Sequence, residues 1–202
     1  MLKIYHVTGT RGTRAIWLCE ELGLDYAVEK VDFSAQYRAT PEWRAMNPVG
    51  KVPVLQDGDM TMFESGAMME YILTRYADGQ LQPSNDSQEY SAYLQWMWFA
   101  EATLARPLGE IVNHGREFPG DQSIPSVVAE MENRAALSLQ AVADQMRDRD
   151  HLVGAHFTAA DIMMGYSIQL AEALIPSRLP KHLSPYWARL KARPAYQRAI
   201  EY

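Results

Sequence analysis

The chain has 202 residues, 48% of them hydrophobic, which is enough length and apolar content for one or two small domains with buried cores. A net charge of -6 argues against the broad basic surface that phosphate-backbone binding needs, so nucleic acid is not expected as a main partner. The single cysteine, Cys19, cannot close an intramolecular disulfide or supply a paired-cysteine redox motif, no apolar run has the length of a membrane span, and MLKIYHVTGTRG lacks the apolar segment of a secretory leader, so a cytoplasmic protein with no membrane association is expected.

Residues 2–7 read as a strand, 13–22 as a helix with Ala15, Ile16, Cys19 and Leu22 on one face and Gly23 as its stop, and 26–31 as a second strand. Such a unit predicts a parallel pair with a right-handed crossover. A short helix over 41–46 is followed by KVPVLQ and MTMF, with Asp57 and Gly58 between them as a hairpin signal. The next helix spans 64–77, with apolar positions at 68, 69, 72 and 73. DGQLQPSNDS, 78–87, has the Gly, Pro, Ser, Asn and Asp content of a linker. Everything beyond it reads as helix. QEYSAYLQWMWFAEATLARPL is apolar nearly all round, VVAEMENRAALSLQAVADQM is amphipathic, and TAADIMMGYSIQLAEAL opens with Thr158 and Asp161 in capping-box spacing. The expected fold is a small α/β domain, 1–77, a linker, 78–87, and an all-helical domain, 88–202.

Two local features carry chemistry. Pro53 interrupts an apolar strand run, where it has no N–H for a ladder; a cis Val52–Pro53 bond would turn the Val52 backbone outward to pair with an extended ligand, and an ordinary edge-strand proline is the alternative. Glu64 and Ser65 stand where a strand gives way to a helix. The free amides of a helix start favour carboxylates, a serine there adds a hydroxyl donor, and a neighbouring glutamate suits an ammonium group. Read plainly, the same pair is a cap and a dipole-complementing acid.

Together these features are far more specific. NPVGKVPVLQDGDMTMFESGAMMEYI, 47–72, resembles the glutathione-site segment of the cytosolic glutathione transferases, RAIWLCEELGLDY matches their amino-terminal helix, and FTAADIMMG, 157–165, is similar to the capping segment of their helical domain. The resemblance runs over nearly the whole chain. It implies a thioredoxin-like amino-terminal domain followed by an all-helical carboxy-terminal domain, a homodimer, glutathione as cosubstrate and a hydrophobic electrophile or a peroxide as the other reactant. By the same resemblance Val52, before Pro53, pairs with the cysteinyl backbone of glutathione, and Glu64 and Ser65 hold its γ-glutamyl end. Lys51 lies near the glycyl carboxylate or the neighbouring peptide, and Arg38 near the glycyl end, although QYRATPEW matches the family less well. A regulatory or binding protein that keeps the fold without the chemistry is the alternative.

TGTRGTR, 8–14, lacks the glycine spacing and lysine of a nucleotide loop. In the resembling family the residue after the first strand stabilises the glutathione thiolate. A thiol of pKa about 8.5 needs roughly 2.7 kcal/mol of preferential stabilisation to ionise two pH units lower. Aligning RAIWL with the serine-using members, the subclass of closest likeness, sets Thr10 at their serine, with the Arg11 backbone N–H assisting. Tyr5 is the rival from the tyrosine-using register, and Thr8 is a third hydroxyl. Trp98 and Phe99 line an electrophile pocket or pack as core, and Glu101 reaches across a dimer interface by family analogy. Cys19 is expected to be an inert core thiol, and His6, His114, His151, His156 and His182 show no metal-ligand spacing.

Overall fold

Side-chain alternation builds the centre of the sheet. Strand β1 (Leu2–His6) buries Leu2, Ile4 and His6 on one face and Tyr5 on the other. In the computed structural model, which describes residues 1–202, β1 pairs in parallel with β2 (Tyr26–Lys30), Leu2 facing Tyr26 and His6 facing Lys30. Helix α1 (Gly12–Leu22) makes the crossover and stops at Gly23, whose φ of 63° lets the last turn close on the Cys19 and Glu20 carbonyls. A single helical turn, α2 (Ala35–Arg38), precedes α3 (Pro41–Met46), whose start is capped by the Thr40 hydroxyl with proline at its first position.

Strands β3 (Val54–Asp57) and β4 (Met60–Phe63) form the antiparallel hairpin predicted from Asp57 and Gly58. Its two-residue loop starts at Gly58 with φ 57°, a conformation that suits glycine. The sheet order is β2-β1-β3-β4, with β3 antiparallel to β1. Helix α4 (Ser65–Tyr76) buries Met68, Met69, Ile72 and Leu73 and packs on α1. Tyr5, Trp43 and Val54 form the core of the opposite face, so the sheet lies between α1 and α4 on one side and α3 on the other. This is the thioredoxin-like arrangement that the family resemblance implies.

The chain divides into one unit of Met1–Gln82 with Lys191–Tyr202 and another of Pro83–Leu190. Residues 191–202, which the sequence reading assigns to the helical half, therefore fold with the first unit. Physical reasons are plain: within this segment Tyr196 meets Trp17 edge-on with ring centroids 4.8 Å apart, and Arg193 grips Glu21 through two bonds of 2.6 and 2.7 Å.

The second unit is helical. Helix α5 (Tyr90–Trp98) runs through a π-helical segment, Phe99–Leu104, into α6 (Ala105–Glu117). Pro107 cannot donate to the Thr103 carbonyl and its ring crowds that oxygen, which accounts for the widened turn just before it. After α7 (Pro125–Gln145), helix α8 (Ala159–Leu174) is buried at every position from Ala159 to Ile168. Its start has the capping box expected of Thr158 and Asp161. Helices α9 (Ser184–Lys191) and α10 (Pro194–Ala199) complete the chain. No helix is long and apolar enough to cross a membrane.

Candidate active site

The loop between β1 and α1 uses its glycines in two ways. Gly9 takes φ 77°, which side-chain-bearing residues avoid. Gly12 is helical, but a Cβ there would stand 2.3 Å from His6 Nδ1, so the imidazole packs directly on the first residue of α1. His6 is 1% exposed, and that burial, with Lys30 adding a smaller charge effect, brings its pKa down to about 4. It is a neutral ring beneath the loop.

Each candidate hydroxyl has a definite partner. Thr10 Oγ1 donates to the Val7 carbonyl at 2.7 Å, and Thr10 N–H donates to the same oxygen at 3.1 Å. His6 Nδ1 lies 3.4 Å from Thr10 Oγ1. Thr8 Oγ1 donates to the Tyr202 carbonyl at 2.6 Å. Tyr5 is 9% exposed, donates from its hydroxyl to Gln56 Oε1 at 2.7 Å and meets Trp43 edge-on with centroids 6.1 Å apart. These contacts place Tyr5 in the core, with its hydroxyl turned to β3. Arg11 occupies the cap position of α1.

The stretch before β3 is shaped by a residue the sequence reading passed over. Asn47 is buried; its side chain donates to the Lys51 carbonyl at 2.9 Å and accepts from Val49 N–H at 3.1 Å. Gly50, at φ 63°, admits no Cβ, which would come within 2.8 Å of the Arg38 carbonyl oxygen. The Val52–Pro53 bond is cis, and the Val52 N–H and carbonyl make no backbone bond within the chain. Lys51 is exposed. Arg38 turns back, donating from Nε to the Phe33 carbonyl at 3.1 Å with its guanidinium over the Phe33 ring.

Glu64 caps α4 with φ 76°, a left-handed value uncommon for a glutamate. Ser65 is 3% exposed, and its Oγ accepts from Arg14 Nη1 at 3.1 Å. A serine oxygen that accepts this bond keeps its own proton for an incoming acceptor, beside the free amides of the α4 start. Arg14 itself is fully buried, and its cationic group adds to the positive field at that helix end. The sequence signal for Arg14 was present: an arginine opening the apolar face of Ala15, Ile16 and Cys19.

Cys19 is fully buried and burial pushes its thiol up to about 12, which leaves it unreactive. Trp98, Phe99 and Glu101 belong to the second unit; Trp98 is 60% exposed, and Phe99 packs on Trp96 with ring centroids 5.0 Å apart. His114 Nε2 accepts from Ile124 N–H at 2.9 Å, a loop-holding contact. No group of three or more His, Cys, Asp or Glu residues is placed to hold a metal ion.

With this geometry in hand, likeness to known proteins is decisive. A family model described as glutathione S-transferase, N-terminal domain, matches residues 1–74. A glutathione S-transferase of Hyoscyamus muticus is 31% identical over 203 residues, covering 94% of this chain and 92% of the relative. The chain belongs to the glutathione S-transferase family. Glutathione S-transferase 3 of Schizosaccharomyces pombe is 28% identical, with 100% of this chain and 87% of the relative covered. A glutathione transferase family member from Pseudomonas fluorescens pf-5, solved with two glutathione bound, superposes with a TM-score of 0.85 at 26% identity, covering 99% of this chain and 92% of that one. The segment matched by the glutathione S-transferase model contains every residue of the group described above from Tyr5 to Ser65.

Proposed function

We propose that this family member is a glutathione transferase that binds glutathione along β3 and the α4 start and presents its thiolate to a hydrophobic electrophile or a peroxide. The observation that carries the reading is Ser65: its oxygen is held by buried Arg14, leaving its proton and the helix-start amides to a carboxylate. Glu64 takes the ammonium of the γ-glutamyl end, and the unpaired backbone of Val52 pairs with the cysteinyl unit as an added strand would. Lys51 and Arg38 serve the glycyl carboxylate. Binding at these points sets the sulfur over the β1–α1 loop, where the Thr10 hydroxyl, assisted by the Arg11 N–H, stabilises the anion. The thiolate then attacks an electrophilic carbon and its leaving group departs with the bonding pair. Tyr5 contributes packing. By family resemblance the working form is a homodimer.

A second reading, a glutathione-binding protein without the chemistry, is favoured by one observation: the Thr10 proton is engaged by the Val7 carbonyl. Calorimetry with glutathione, followed by turnover assays with a chromogenic aryl halide and a hydroperoxide, separates the two. Binding with turnover is expected. Binding with no turnover of either reactant supports the second reading, and no binding overturns both.

A further inference from the structure

We propose that His6 is a positioning residue for the sulfur-anion loop, its Nδ1–H holding the Thr10 oxygen so that the hydroxyl proton can turn from the Val7 carbonyl to a thiolate. The inference rests on the assignment of Thr10 made above. Four observations carry it. His6 is buried, its Nδ1 lies 3.4 Å from Thr10 Oγ1, and the ring is wedged against the first residue of α1, where even a methyl group at Gly12 would collide with Nδ1 at 2.3 Å. The fourth is the other ring nitrogen: Nε2 is buried without a hydrogen-bond partner.

These facts select a tautomer. A proton on Nε2 would be a buried donor with nothing to receive it, a heavy penalty, whereas a proton on Nδ1 has the Thr10 oxygen within reach and leaves only a bare lone pair behind. Thr10 Oγ1 then accepts from His6 and donates onward, and a hydroxyl that accepts one bond is the stronger donor in the next. When a thiolate arrives, Oγ1–H exchanges the Val7 carbonyl for sulfur. Val7 keeps the bond from Thr10 N–H at 3.1 Å, so no buried carbonyl is orphaned. Threonine is β-branched, with a methyl that could occupy the same position; the Nδ1–H and Val7 contacts fix oxygen there instead.

The test is an ultraviolet titration of the bound glutathione thiolate in wild type, Thr10→Val, His6→Asn, His6→Leu and His6→Gln, and in the Asn and Leu changes combined with Thr10→Val. Asparagine keeps an amide donor near the Nδ1 position; leucine has none, and glutamine reaches toward Nε2. Relative to wild type, His6→Leu and His6→Gln are expected to lower the thiolate fraction at fixed pH by roughly three- to tenfold, with His6→Asn within about twofold. In the Thr10→Val background His6→Asn and His6→Leu are expected to coincide. Thermal melts accompany each variant, and His6→Gln against His6→Asn carries the comparison if His6→Leu does not fold. Equal thiolate fractions for the Asn variant and the Leu or Gln variant, with Thr10→Val still lowering the wild-type value, overturn the role of His6 alone. An unchanged thiolate in Thr10→Val overturns the Thr10 assignment itself.

Discussion

Thr10 and His6 show how much a side chain's task depends on its neighbour. Alignment picks out Thr10, but the destination of its proton, the Val7 carbonyl, is a matter of loop geometry. His6 leaves a thermodynamic mark of its own. Its pKa falls from 6.5 to about 4 on folding, so between those values the unfolded chain binds a proton that the folded chain does not, and stability rises with pH across that window. The contribution is on the order of 3 kcal/mol. Denaturation midpoints measured from pH 4 to 7 are expected to climb in wild type and to flatten in His6→Asn. Ser65 bears on binding instead. Ser65→Ala removes the proton proposed for the γ-glutamyl carboxylate and is expected to weaken glutathione binding by roughly three- to tenfold in calorimetry, with the thiolate pKa of whatever glutathione is bound little changed.

Helix α8 begins with Thr158 and Asp161, a pair legible from spacing, yet the cap is only part of what Asp161 does. Its carboxylate also accepts from Leu152 N–H at 3.0 Å and from the Tyr186 hydroxyl at 2.8 Å, which ties the preceding loop and α9 to the start of the buried helix. Asp161→Ala would orphan several buried donors at roughly 1–3 kcal/mol each, so a loss of at least about 3 kcal/mol is expected in chemical denaturation. Asp161→Asn keeps one acceptor oxygen and should fall between wild type and Ala. Periodicity was less informative for α5 and α6. The apolar stretch carrying Trp96, Trp98 and Phe99 reads as helix, but the π segment depends on how the chain absorbs Pro107 and on Ser167, whose hydroxyl lies 3.0 Å from the Ala100 carbonyl.

The division of the whole chain follows contacts rather than chain order. Lys191–Tyr202 covers α1: Tyr196 meets Trp17, Arg193 meets Glu21, Arg198 meets Glu20, and the Tyr202 carbonyl takes the Thr8 hydroxyl at the β1–α1 loop. Deleting 191–202 is expected to lower the melting temperature, by roughly 2–4 °C for each kcal/mol lost. It should also weaken glutathione binding, because Thr8 loses its anchor. A deletion that left both unchanged would show that the segment is ornamental to the first unit. What could be read from residue order alone is what neighbours in sequence decide: the β-α-β start, the Asp57–Gly58 hairpin, the Thr158 cap, and the Glu64–Ser65 helix entry, all set by backbone sterics and by side chains within a few positions. Tertiary structure alone could bring Arg14 to Ser65, 51 positions away, and Thr8 to Tyr202, 194 positions away, because burial of a charge or closure on a distant carbonyl is decided by which surfaces exclude water together, not by any local spacing.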